Sequence, residues 1–379
     1  MQMKSVAMIT EYNPFHNGHL YHATQSQREA KADVTIAVMS GQFMMRGMPA
    51  IFNKFKRAQM ATVACDIVVE LPLLGSLSSS DIFAEMGIKV ATYMQADVLS
   101  FGSESGDMVQ LKQTAEQLLE LEETDAFKRE IKSGKSFARI AGETLNTDLL
   151  AEPNNVLAIA YIKNILRHNP KLQPMTISRA HTHHHDDQFQ HDYLASGTAI
   201  RKSLCGKDDV WKTMVPKQNV QLMTQPYCDS ERLFQLIKLS ILQQSPESLK
   251  SIYTMSEGFE NRLHKVITQV SNYDELMTAL KTKRYTYTHI QRILMNILLN
   301  FQYSDVNQQL PGVRILAMSQ KGQQYLKYLK SIAPEKQFIT NVNRENASLF
   351  KHEIKATEIY NLLTDETMND FNTPVSIAR

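Results

Sequence analysis

The chain has 379 residues, of which 43% are hydrophobic and 21% charged, with a formal charge of +2 at neutral pH. These values exclude a disordered or low-complexity chain, leave room for two domains, and exclude a uniformly basic nucleic-acid coat, though a local basic patch can still serve one. No run approaches the ~20 apolar residues of a membrane span, and Cys65, Cys205 and Cys228 are odd in number and widely spaced, so free thiols in a soluble cytoplasmic protein are expected.

The first expected strand is Val6-Ala7-Met8-Ile9, closed by the turn Glu11-Tyr12-Asn13-Pro14. A helix is expected over 18–31. Asp33 opens a β-branched strand over 34–39 that stops at Ser40-Gly41, and Pro49 stands where a helix to Ala64 could begin. Ile67-Val68-Val69 is a third strand, 80–94 a helix, and Val98-Leu99-Ser100-Phe101 a fourth strand. Continuously apolar runs suit strands buried on both faces, and the strand–helix alternation implies a parallel sheet with right-handed crossovers. Such sheets bind ligands outside the carboxyl ends of their strands. The turns after Ile9, Met39, Val69 and Phe101 are therefore expected along one edge.

Residues 107–146 read as charged helix. Pro153-Asn154-Asn155 opens an apolar helix over 156–166, and 175–179 reads as another strand, ending in Arg179. The segment 180–193 contains His181, His183, His184 and His185 without regular ligand spacing. It reads as a polar loop and a candidate lid rather than a metal site. Ser196-Gly197-Thr198 caps a short helix carrying Arg201 and Lys202. Beyond about Lys207 the strand signals fade. Residues 233–242, 263–270, 273–280 and 290–299 carry helical spacing, with one short candidate strand at 312–318 and a soft boundary near Pro216.

The sharpest chemical feature is His16-Asn17-Gly18-His19, between a buried-type strand and a helix. A helix N-terminus offers unpaired N–H groups and partial positive charge to phosphates. Gly18 has no Cβ to block a close approach to the backbone. His16 and His19 can donate to phosphate oxygens as charge builds during attack at phosphorus. Arg46 and the run Lys54-Phe55-Lys56-Arg57 could meet phosphates or RNA, or form a solvated helix face. Lys281, Lys283, Arg284, His289 and Arg292 cluster with Tyr285 and Tyr287. They are either the exposed start of a helix or a surface that holds phosphates and stacks bases.

The run Glu11-Tyr12-Asn13-Pro14-Phe15-His16-Asn17-Gly18-His19-Leu20-Tyr21-His22 resembles the opening motif of the bacterial tRNA(Met) cytidine acetate ligase family, a branch of the HxGH nucleotidylyltransferase superfamily. Ser40-Gly41-Gln42-Phe43, Arg46-Gly47, Asp66 through Pro72, Phe101-Gly102-Ser103-Glu104, Pro153-Asn154-Asn155, Ser196 through Arg201 and Lys283-Arg284-Tyr285-Thr286 extend the resemblance in order along the chain. Two departures stand out: the histidine-rich segment, and Met48 where an acidic residue is expected.

The resemblance implies an α/β fold, with an N-terminal parallel-sheet Rossmann-like nucleotidylyltransferase domain (1–210) that binds ATP and a mostly α-helical C-terminal domain (211–379) that binds tRNA. It implies catalytic roles for His16, His19 and Arg201. ATP would be held by Ile9, Thr10, Glu11, Tyr12, Asn13, Pro14, Phe15, His16, Asn17, Gly18, His19, Leu20, Tyr21, His22, Gly102, Asn154 and Arg179, with Ser196 and Thr198 on the departing pyrophosphate. Lys281, Lys283, Arg284 and Arg292 would meet tRNA. The implied reaction joins ATP, acetate and elongator tRNA(Met) through acetyl-adenylate to N4-acetylcytidine, with Mg2+ expected and no protein ligand assigned to it. Two other hypotheses stand beside this one: an adenylyltransferase for a small phosphorylated metabolite, and a non-catalytic RNA-binding module that retains a nucleotide pocket.

Overall fold

The computed structural model describes residues 3–131, 137–178, 194–282 and 285–378. Its centre is an eight-stranded sheet in the order β10-β8-β5-β2-β1-β6-β7, with β9 paired to β8. The first strands are β1 (Ser5–Thr10), β2 (Val34–Ser40), β5 (Ile67–Leu71), β6 (Val98–Ser103) and β7 (Gln173–Ser178), which run parallel to one another. Strand order reverses between β1 and β6, and this switch point opens a crevice at the strands' carboxyl ends.

Both faces of the sheet are covered, as the continuous apolar runs require. Ala7, Ile36, Val38, Ile67, Val69 and Leu99 face one large cluster, while Met8, Ala37, Met39 and Val68 face a second. The large cluster continues into the C-terminal helices through Leu233, Ile237, Leu263, Leu276 and Ile293. Among the described residues, no helix is long and apolar enough to cross a membrane.

Two expectations give way here. Pro49 does not start a helix. It lies in β4 (Met48–Pro49), paired antiparallel with β3 (Phe43–Met44), and the helix begins only at Lys54, capped by the Asn53 side chain. A proline without an N–H donor is tolerated in a short edge ribbon. The division at 210 does not separate the sheet either. β8 (Val313–Met318) inserts beside β5 as its antiparallel neighbour, and β9 (Phe338–Ile339) and β10 (Ser376–Ile377) flank it. Helices at Gln320–Ile332 and Lys351–Thr364 belong to this returning segment.

The returning segment is also tied by charge. Lys54, which could have faced phosphates or RNA, is fully buried. Its Nζ donates to Glu70 Oε1 and Oε2 at 2.8 and 3.0 Å and lies 2.9 Å from Asp370 Oδ1. Burial outweighs the attraction of Lys54 and pushes Glu70 up to about 7. Arg57 of the same helix is buried as well.

The cysteines also depart from the expected free thiols. Cys205 and Cys228 form a disulfide, with Cα atoms 5.7 Å apart, and only Cys65 is free, buried with its thiol pushed up to about 12. A cysteine pair 23 residues apart in sequence carries no spacing signal; the chain between them, with short 3-10 helices at Val210–Thr213 and Lys217–Leu222, returns Cys228 to the helix Gly197–Gly206.

Two outcomes are expected. Lys54→Met leaves two buried carboxylates without their cation and should cost about 3–5 kcal/mol of unfolding free energy in a urea titration. A loss under about 1 kcal/mol would contradict the buried triad. In the oxidised native protein no thiol should react quickly with a disulfide reagent at pH 8, whereas after reduction the exposed Cys205 and Cys228 should react and Cys65 should not.

Candidate active site

The turn after β1 becomes a helix N-terminus at Asn17–Ala30 with His16 as its cap. His16 Nδ1 accepts from the Gly18 amide at 3.1 Å, and His19 Nδ1 accepts from the His16 amide at 3.3 Å, a reciprocal capping box built from imidazoles. The rings stack with centroids 3.7 Å apart. Because both Nδ1 atoms accept from backbone amides, the neutral rings carry their proton on Nε2. The donors suited to a phosphate are thereby fixed by the backbone. Gly18 is needed for a reason other than ligand approach alone: a Cβ there would lie 2.9 Å from His16 Cε1.

A second helix N-terminus meets the first. Ser196 caps the helix Gly197–Gly206, accepting from the Ala199 amide at 3.1 Å. Arg201 donates through Nη1 to the Asn13 carbonyl at 2.7 Å and through Nη2 to Thr198 Oγ1 at 3.1 Å. Gly197 sits against both: a Cβ there would be 3.5 Å from the Asn13 carbonyl and 4.0 Å from His16 Nε2. Burial lowers the pKa of Arg201, an effect that Glu11 opposes and Arg46 reinforces; a guanidinium stays charged through such a shift. Two helix N-termini and a guanidinium therefore converge on one spot, which is chemistry for a polyphosphate.

The spot opens into a cavity of about 700 Å³ at the β1/β6 crevice. Ile9, Thr10, Glu11, Tyr12, Asn13, His16, Gly18, His19, Tyr21, His22, Gly102, Asn154, Ser196, Thr198 and Arg201 all line it. Pro14, Phe15, Asn17 and Leu20 do not. Phe15 is buried beneath the loop, and the Asn17 amide and side chain bond the Met214 and Thr213 carbonyls at 2.9 and 3.0 Å. Arg179, Lys283, Arg284 and the histidine-rich loop with its candidate lid lie outside the described residues.

Two cavity residues of one helix escaped the sequence reading. Leu157 and Tyr161 line the cavity beside Asn154. Their spacing of three and four on the helix Pro153–His168 puts them on one face and could have revealed them. Asn154 also has a structural duty: its amide and side chain donate to Glu104, whose other oxygen accepts from the Asn155 amide at 2.8 Å. Asn155 Oδ1 returns the bond to the Glu104 and Ser105 amides at 3.0 and 3.2 Å. The β3–β4 ribbon supplies Met44, Arg46, Met48 and Pro49 to the cavity wall.

Among the described residues of the basic cluster, Lys281 and Arg292 are placed differently. Lys281 donates to the Thr282 carbonyl and lies 5.5 Å over the Tyr287 ring. Arg292 instead is half-buried and donates to the Met45 carbonyl at 3.3 Å. Magnesium finds no ready protein site. Among the described residues no three His, Cys, Asp or Glu side chains are grouped to hold a metal. Glu11, the one carboxylate among the described lining residues, already accepts from the Met45 amide at 2.6 Å.

The sequence matches the HIGH nucleotidyl transferase family over residues 3–373. A tRNA(Met) cytidine acetate ligase of Staphylococcus aureus is 50% identical over 374 residues, covering 98% of this chain and 99% of the relative. That of Staphylococcus saprophyticus is 51% identical with the same coverage. The crystal structure of apo Thermotoga maritima TmcAL superposes with a TM-score of 0.88 at 27% identity over 100% of both chains. The same protein bound with alpha-thio ATP gives 0.85 at 26% identity over 99% of both. With its crevice, its imidazole-capped helix and these relatives over nearly the whole length, the chain belongs to the tRNA(Met) cytidine acetate ligase family of HIGH nucleotidyl transferases.

Proposed function

We propose that this chain is an ATP-dependent ligase that activates acetate as acetyl-adenylate and acetylates N4 of the wobble cytidine of elongator tRNA(Met) in the cytoplasm. The observation that carries the ATP half is the meeting of two helix N-termini, His16, His19 and Arg201 at the cavity beneath the β1/β6 crevice. The acetyl and tRNA halves rest on relatives of about half-identical sequence that bear that name.

In the first step an acetate oxygen bonds the α-phosphorus of ATP and the bond to the β-phosphate oxygen breaks, giving acetyl-adenylate and pyrophosphate. Acetate is already ionised at neutral pH, so this step needs no base. The Nε2–H groups of His16 and His19 meet the charge gathering on phosphate oxygens. The Gly197 helix and Arg201 receive the leaving pyrophosphate, whose charge magnesium would help to screen. In the second step the cytosine N4 amine attacks the acetyl carbonyl, AMP leaves and the amine loses a proton. Ile9, Phe101, Leu157, Tyr161 and Ile177 give the cavity its apolar wall, suited to a purine and to keeping water from the mixed anhydride. The tRNA is expected against the helical layer of 211–379, with Lys281, Lys283 and Arg284 toward its phosphates.

Incubation with ATP, magnesium, labelled acetate and elongator tRNA(Met) should put one acetyl group on the wobble cytidine and release AMP and pyrophosphate. A stable dinucleotide product instead would mark a metabolite adenylyltransferase. His19→Ala should lower turnover about 100- to 1,000-fold with little change in tRNA binding. Arg201→Ala should do likewise, and unchanged turnover in either would remove these groups from the chemistry.

A further inference from the structure

The β3–β4 ribbon is built to present one side chain. Its turn, Met45-Arg46-Gly47, is a three-residue loop with Gly47 at φ +81°, closed by the Gly47 amide to the Met44 carbonyl at 2.8 Å. Both flanks of Arg46 are fixed from outside the ribbon. The Met45 amide donates to Glu11 at 2.6 Å, and the Met45 carbonyl accepts from Arg292 at 3.3 Å. Gly47 packs so tightly on the helix Tyr287–Leu298 that a Cβ would lie 2.3 Å from the Arg292 amide nitrogen. The Tyr273 hydroxyl donates to Met48 Sδ at 3.3 Å.

Everything around Arg46 is thus held, yet its own guanidinium has no hydrogen-bond or ion-pair partner among the described residues, although it lines the cavity. It is close enough to Arg201 to act on it electrostatically. The neighbouring wall is apolar: Met44 and Met48 face each other across the ribbon and, with Pro49, line the same cavity. An unpaired cation on a held turn, beside a short apolar wall, suits a small carboxylate with a short alkyl tail. The phosphates already have the helix ends, both imidazoles and Arg201.

We propose that Arg46 binds the carboxylate of the acyl donor, with Met44 and Met48 limiting the length of its tail. The proposal rests on the ligase reading above and deepens it. Arg46 is exposed on its turn, so substitutions there leave the core untouched. Acetate-dependent exchange of pyrophosphate into ATP, measured without tRNA, isolates the first step. Arg46→Gln should raise KM for acetate about ten- to a hundredfold. Its Kd for ATP, from direct titration, should stay within about twofold. Arg46→Lys should recover part of the loss, since a point charge replaces the planar fork. Met48→Ala should shift the preference between propionate and acetate about tenfold toward propionate. An equal weakening of ATP binding would make Arg46 a phosphate contact and overturn the proposal, as would an unchanged KM for acetate. Absence of acetate-dependent exchange in the wild-type chain would overturn the ligase reading as well.

Discussion

Arg57 is the buried cation on which the site is assembled. Its guanidinium is fully buried and donates to the carbonyls of Phe52, Glu11, Ser40 and Gly41. Burial pulls its pKa down to about 10, which still leaves it charged at neutral pH. A buried charge without such partners would be prohibitively costly, so the carbonyls and the cation hold one another. The tie joins the loop after β1, which carries the imidazoles, to the loop after β2, which leads into the Arg46 ribbon. A residue that the charge run suggested for phosphates or RNA acts from below, by holding backbone.

The returning C-terminal segment is part of the same construction. Asp370 shares Lys54 with Glu70, and the Leu73 amide donates to Glu353 at 2.8 Å. The helical layer reaches the cavity through Tyr273 and Arg292, both on the ribbon. A shift of the helix Tyr287–Leu298 would move the wall of the cavity with it, because Gly47 leaves no space between them. The two halves also share one hydrophobic cluster, so they are coupled by packing as well as by charge.

Motifs that look like separate ligand-binding runs prove to be interlocking pairs. Glu104 caps the Asn154 helix while Asn155 caps the Glu104 turn. Glu11 holds Met45, and Asn13 accepts from both Arg201 and, through Oδ1, the Ile51 amide at 2.8 Å. Glu11, Asn13, Asn154 and Arg201 are thus positioned by partners distant in sequence, while His16 and His19 hold each other locally, the kind of preorganisation that electrostatic catalysis demands.

The parallel sheet, the helix opening at the histidine pair and the helical spacing of the second half were legible in the residues alone, because apolar period and capping chemistry are local. The His16–His19 loop was legible for the same reason: its capping box spans four consecutive residues. What the chain could not declare locally was which partner each charge would find. Lys54, Arg57 and Arg292 read as surface cations and became buried or half-buried ties, while Arg46, of the same residue type and nearby, kept its head toward the cavity. Cys205 met Cys228, and β8 joined a sheet begun some 300 residues earlier. Those outcomes depend on contacts between segments far apart in sequence. Local composition determines how a segment folds, but only the assembled core decides which of its polar groups is left facing a ligand.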